Sequence, residues 1–136
     1  MDKTTISTHF TLSGDDFDIE YVSEALAILP NYTRSKDEVL KNGRKFGHTE
    51  WGIETEYDIS LDVEEQFEKV YSIISEKVEI LERLRVECNA EWSILFVIKI
   101  ENGETPAMHL SKKIVKFAAT IDAEIDFDVY VLSALE

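Results

Sequence analysis

The clearest periodicity in the sequence lies in residues 50–59, which read Glu-Trp-Gly-Ile-Glu-Thr-Glu-Tyr-Asp-Ile. The odd-numbered positions are aromatic or β-branched, and the even-numbered positions are carboxylates except for Gly52. A period of two residues is typical of a strand that has one face on a core and the other in water. The pattern therefore predicts a strand over 50–59 with one dry side and one negatively charged side.

Three other stretches, residues 3–12, 91–101 and 123–132, show the same alternation and also predict strands. In the second of them Leu95 and Val97 are apolar on the side opposite the main apolar face, which indicates a central strand partly covered on both sides. In the last one, the alternation predicts an inward-facing set made up of Ile125, Phe127, Val129 and Val131.

Helical spacing fills most of the chain between the strands. A helix is expected after the capping residue Asp18 and should end at Leu29, because Pro30 cannot continue it. Residues 62–88 keep helical spacing over roughly 40 Å, longer than a small domain, so a break near Ser75 is expected. Another short helix follows Ser111. This order predicts an α+β fold, a two-layer sandwich in which helices pack on one face of a mostly antiparallel sheet, formed as a single domain over residues 1–136.

The net charge of the chain limits the kinds of partner that it can bind. The 136 residues include 28 acidic and 14 basic side chains, a formal charge of −14. Such a surface repels phosphate backbones and anionic headgroups, which argues against binding to nucleic acid or membranes. The longest apolar run, Ile94 to Ile98, is far too short for a bilayer, and the single cysteine suits a reducing compartment. We therefore expect a cytoplasmic protein.

Residues capable of catalysis are scattered. His9, His48 and His109 have no metal-site spacing, and Cys88 has no partner cysteine and an acid beside it. Phosphate-binding loops and nucleophile motifs are absent from the sequence. We therefore predict no catalytic residues, no metal, no cofactor and no enzymatic activity.

The predicted outward face of the sheet is the most informative surface. It carries Leu95 and Val97 in a central strand, flanked by acidic strands. An apolar centre rimmed with acid suits a basic protein partner, although carboxylates on a strand also serve solubility alone. The predicted partner-binding residues are Glu50, Glu54, Glu56, Asp58, Glu124, Asp126 and Asp128. An exposed edge strand would permit a weak dimer, so the expected state is a monomer or a weak dimer.

A locally basic loop offers an alternative site. Four of its cations could together bind an anionic ligand, because guanidinium groups form paired hydrogen bonds to phosphate or carboxylate. The competing interpretation is a solvated loop that partly neutralises its acidic surroundings. The candidate anion-binding residues of loop 34–45 are Arg34, Lys36, Arg44 and Lys45.

Several anchors resemble a known family. They are Phe10-Thr-Leu-Ser-Gly14-Asp-Asp-Phe17-Asp, Leu29-Pro30, Trp51-Gly-Ile, Asp62-Val-Glu-Glu and Ala123-Glu-Ile-Asp-Phe-Asp-Val-Tyr130. Together they are similar, over nearly the whole chain, to the bacterial family catalogued as domain of unknown function 4279. Family members usually carry a Lys-Gly-Asp-like turn after the proline, for which Lys41-Asn42-Gly43-Arg44 is the nearest counterpart here.

The resemblance implies a bacterial, cytoplasmic α+β domain and supplies no catalytic residues. By analogy, some proteins of this size and acidity are immunity partners of secreted toxins. The function expected from the sequence is therefore a non-enzymatic protein-binding domain, an immunity protein that blocks a basic toxin such as a nuclease.

Overall fold

A six-stranded sheet with helices against it forms the part of the chain that the computed structural model describes, residues 2–132. The strands are β1 (Thr5–Gly14), β2 (Tyr32–Arg34), β3 (Thr49–Glu54), β4 (Asp58–Ile59), β5 (Ala90–Ile100) and β6 (Glu124–Val131). The helices are α1 (Ile19–Leu26), α2 (Val63–Ile74), α3 (Val78–Glu87) and α4 (Lys112–Thr120). The strand order is β2-β3-β1-β5-β6, with β4 also paired to β1. All pairings are antiparallel except β5 with β6, so the predicted α+β fold is confirmed.

Local chemistry sets the helix ends. The Asp18 carboxylate accepts hydrogen bonds from the amides of Glu20 and Tyr21, as an N-cap residue does. Helix α1 ends at Leu26, earlier than expected, because Ala27 adopts a left-handed conformation with φ 55°. The predicted break in the long helical stretch is confirmed, since a 3₁₀ turn over Ser75–Lys77 separates α2 from α3.

The core lies between the sheet and the helices. The Trp51 indole donates to Ser23 of α1, and the Trp92 indole donates to the Leu81 carbonyl of α3, each over 2.9 Å. Phe67 of α2 meets Phe96 of β5 and Phe117 of α4. In the strand register Trp51, Trp92 and Phe96 all lie on one side of the sheet, so the four helices pack on the same face. We call this face the helix side and the other the open face.

The prediction of a single strand over 50–59 is wrong, because a bulge separates β3 from β4. His9 of β1 pairs with Glu54 and Ile6 pairs with Asp58, so three steps along β1 correspond to four along its partner. One extra residue reverses the side-chain alternation. Ile59, predicted to be buried, is 67% exposed, and Asp58 turns to the helix side, where its carboxylate pairs with Lys69 of α2.

The last strand is also less buried than its alternation predicts. Its apolar residues do lie on the helix side, opposite the core residues of β5, and Phe127 stacks on Phe96. Ile125 is half-buried, but Val129 and Val131 are 40% and 74% exposed. Because β6 is at the sheet edge, the helices cover only its first part.

None of the helices within residues 2–132 combines the length and the apolar composition needed to cross a bilayer.

Candidate functional site

The open face of the sheet is the surface that none of the helices α1 to α4, all within residues 2–132, covers. The strand register places on it His9, Thr11 and Ser13 of β1, Tyr32 and Arg34 of β2, Glu50 and Glu54 of β3, Glu91, Ser93, Leu95, Val97 and Lys99 of β5, and Glu124, Asp126, Asp128 and Tyr130 of β6. Strands β1 and β5 separate β3 from β6, so the two acidic strands are not neighbours, as expected from the repulsion of opposed carboxylates. A shallow concavity lies over the β3 end of this face, between Thr11, Tyr32, Glu54 and Leu95.

Glu50 is the centre of a hydrogen-bonded cluster. Its carboxylate accepts from the Tyr32 hydroxyl over 2.7 Å and from the Ser13 hydroxyl over 3.1 Å, and it contacts His48 Nε2 at 3.1 Å. Burial and the bond to Glu50 together raise the pKa of Tyr32 to about 12. This cluster could not be predicted from local sequence pattern, because it depends on how β1, β2 and β3 align.

The second acid of β3 is also paired. Glu54 lies 3.3 Å from Nδ1 of His9, whose other ring nitrogen contacts the Ser7 hydroxyl at 3.1 Å. Both predicted partner-binding residues of β3 are thus on the open face, but each is held by neighbours. Their carboxylates are less available to an incoming cation than those of β6.

Strand β6 carries the more available acids. Glu124 and Asp126 are exposed and make no ion pair among residues 2–132, while Asp128 accepts a hydrogen bond from the Tyr130 hydroxyl over 2.9 Å. Glu56 is exposed but lies in the bulged segment between β3 and β4. Asp58 does not belong to this surface, because the bulge turns it to the helix side.

The expected apolar centre of the open face is narrower than predicted. Leu95 is half-buried, but only 5% of Val97 is exposed. Residues of the bulged segment lie near this end of the face: Ser7 donates to the Thr55 carbonyl, and the Lys99 ammonium lies 3.9 Å from the centre of the Tyr57 ring. The centre of the face is therefore mixed in character and bordered by carboxylates.

The cations of the basic loop 34–45 do not form one shared binding site. Arg34 pairs with Glu38, Lys36 with Asp15 at 3.0 Å, and Lys45 with Asp37 at 3.5 Å. Arg44 is exposed and has no ion pair within the described chain. Three of the four candidate anion-binding residues thus already neutralise neighbouring acids, as the solvated-loop interpretation expects, and anion binding there stays a prediction.

Metal ligands and nucleophilic thiols are two kinds of group that could support catalysis. Over residues 2–132, no three His, Cys, Asp or Glu side chains are grouped so that they could hold a metal ion. Burial, followed by the nearby charges of Glu87 and Asp18, raises the pKa of the Cys88 thiol, which keeps it protonated and weakly nucleophilic. The arrangement on the open face suits binding through charge and hydrogen bonds.

Replacing Glu50 with glutamine is expected to lower the pKa of Tyr32 from about 12 toward its ordinary value of 10.0. It should stop short of that value, because burial is the largest cause of the shift. A raised phenol pKa favours the protonated folded state, so its contribution to stability is complete below pH 10.0 and is lost as the pH rises toward 12. Phenolate absorbance during an alkaline titration measures the shift, and Tyr32→Phe assigns the signal. An unchanged midpoint in Glu50→Gln would contradict the assigned contact.

Comparison with known proteins gives one family match. The family described as Domain of unknown function (DUF4279) matches residues 3–132. Neither a curated protein nor a solved structure matches the chain.

Proposed function

The chain belongs to the DUF4279 family, whose description names no activity, and we propose that it is a non-enzymatic protein-binding domain whose open face holds a basic partner. One observation carries the proposal: the described strands of the sheet face left uncovered by helices bear carboxylates on β3, β5 and β6 but only two cations, Lys99 and Arg34, and Arg34 is already paired with Glu38. Opposite charges across an interface speed association and select the partner. Exposed β6 contributes the most accessible part of this negative surface.

In its finer form the proposal is an immunity protein that acts in the cytoplasm on a basic toxin domain. An enzyme that cleaves nucleic acid presents a positively charged cleft to its substrate. An acidic sheet face can occupy such a cleft and exclude the substrate. The charge of −14 and the carboxylates of the open face support this choice of partner.

The test compares two charge-matched variants. Glu124→Lys with Asp126→Lys reverses exposed charges on the open face, whereas Glu76→Lys with Glu79→Lys reverses exposed charges in the helix layer. Each pair changes the net charge equally, so a purely global charge effect would alter both alike. We expect the open-face pair to slow association with the basic partner about tenfold at low salt, and the helix-layer pair to have a much smaller effect.

The measurement begins with proteins retained from a lysate near physiological salt, which are then purified and measured individually by surface-based binding kinetics. Stoichiometric retention of a basic protein is only the starting point. A partner whose association rate falls equally with both variant pairs would contradict the proposal, because the open face would then have no special role.

A further inference from the structure

The outer edge of β6 is a long strand edge that no other strand within residues 2–132 pairs with. In this part of the chain β6 pairs with β5 alone, and its eight residues contain neither proline nor glycine. The opposite edge of the sheet is β2, which has only three residues. Edge strands present a row of free N–H and C=O groups that can pair with another chain. Within residues 2–132, β6 therefore offers the longer edge for such pairing.

The two sides of β6 differ sharply in chemistry. On the helix side Phe127, Val129 and Val131 are all at least 38% exposed, beyond the reach of the helices. On the open face lie the carboxylates of Glu124, Asp126 and Asp128. An added strand would therefore meet apolar groups on one of its sides and negative charge on the other.

We propose that β6 accepts an added strand from its partner, an extended segment in which lysine or arginine alternates with apolar residues. Successive side chains of a strand point to opposite faces, so the cations would lie beside the carboxylates and the apolar residues would cover Val129 and Val131. Main-chain hydrogen bonds supply affinity, and the two-sided pattern supplies selectivity. This inference rests on the proposed function and specifies how the basic partner docks.

A second copy of this chain suits the edge less well. Antiparallel pairing of two β6 strands centred on Phe127 sets Asp126 opposite Asp128, and centring on Asp128 sets that residue opposite itself. Like charges directly opposed destabilise strand pairs, and charged residues on edge strands commonly prevent self-association. The same carboxylates that disfavour self-pairing attract a cationic strand.

Two synthetic peptides of equal composition and charge probe the edge of the full chain. One alternates lysine and valine, and the other carries its lysines and valines in two separate blocks. We expect the alternating peptide to bind about tenfold more tightly than the block peptide, since only it can satisfy both sides of β6. It should also slow hydrogen exchange at about every second backbone amide of 124–131, measured by NMR, because alternate amides point to the free edge.

Variants on each side of β6 separate the possible outcomes. Val129→Thr with Val131→Thr keeps the β-branched shape of both side chains. It should weaken binding of the alternating peptide to β6 several-fold. Equal binding of both peptides without protection of β6 amides would overturn strand addition. In that case, the proposed function would still stand if Glu124→Lys with Asp126→Lys weakened peptide binding, because the acidic face would still bind cations. If those changes had no effect on peptide binding, the proposed function and the strand-addition inference would both fail. Protection of β6 without peptide, in a chain that sediments as a dimer, would assign the edge to a second copy and also overturn the inference.

Discussion

Replacing Trp92 with alanine is expected to lower the free energy of unfolding by about 3–5 kcal/mol. The Trp92 side chain is fully buried, stacks on Phe10 with ring centroids 4.6 Å apart, and meets Trp51 edge-on at 6.0 Å. Its indole N–H donates to the Leu81 carbonyl over 2.9 Å. The change leaves a cavity between β1, β5 and α3 and removes the donor to a buried carbonyl, and both effects destabilise the folded state.

Equilibrium unfolding in urea, followed by far-ultraviolet circular dichroism, measures this loss. Trp92→Phe keeps an aromatic ring against Phe10 and removes the N–H donor, so it should cost less than Trp92→Ala. Leu29→Ala is a matched surface control, because Leu29 is 89% exposed, and it should change stability by less than about 0.5 kcal/mol. A Trp92→Ala protein as stable as Leu29→Ala would place the indole outside the core.

Most elements of the fold could be predicted from local pattern. The alternation around Trp92 corresponds to the single strand β5. The helical spacing after Asp62 corresponds to the two helices α2 and α3. The break near Ser75 followed from length alone, since a straight helix over residues 62–88 would have been longer than a small domain. These features depend on residues close together in sequence.

The bulge between β3 and β4 could not be predicted in the same way. The alternation of residues 50–59 is unbroken in sequence, yet the structure inserts one extra residue between Glu54 and Asp58. Thr55 is bonded to the backbone of Thr8 through both its amide and its hydroxyl, which anchors the irregular segment to β1. Pairing with another strand thus outweighed the local pattern and moved Asp58 off the open face.

The candidate surface was predicted in outline but not in detail. Carboxylates could be assigned to the outer side of β6 from alternation alone, and Glu124, Asp126 and Asp128 are there. That Glu50 is held by Tyr32, Ser13 and His48 required the register of three strands. As a result, the negative charge available to a partner is concentrated toward β6 rather than spread evenly across the face.

Replacing Gln66 with leucine is expected to raise the free energy of unfolding by about 1–3 kcal/mol. Gln66 lies on α2 beside the core residue Phe67 and is 1% exposed, and neither its amide nitrogen nor its amide oxygen has a hydrogen-bond partner among residues 2–132. Burying an amide without a partner destabilises the folded state, because the amide loses the hydrogen bonds that it makes to water in the unfolded chain. Leucine removes that penalty and adds apolar contact with the core, and it also has a high helix propensity.

Two substitutions in β1 test the same reasoning from the sheet side. The Thr8 hydroxyl is buried without a partner in the described chain, so Thr8→Val, which keeps the shape, should also stabilise, but by less than Gln66→Leu. Its neighbour Ser7 is equally buried but donates to the Thr55 carbonyl over 2.8 Å, so Ser7→Ala should destabilise by about 1 kcal/mol. Urea unfolding of the three variants should therefore give opposite signs for adjacent positions in one strand. If Gln66→Leu destabilised instead, its amide would have to be hydrogen-bonded in the folded protein, and the unpaired-amide argument would fail for Gln66 while remaining testable at Thr8.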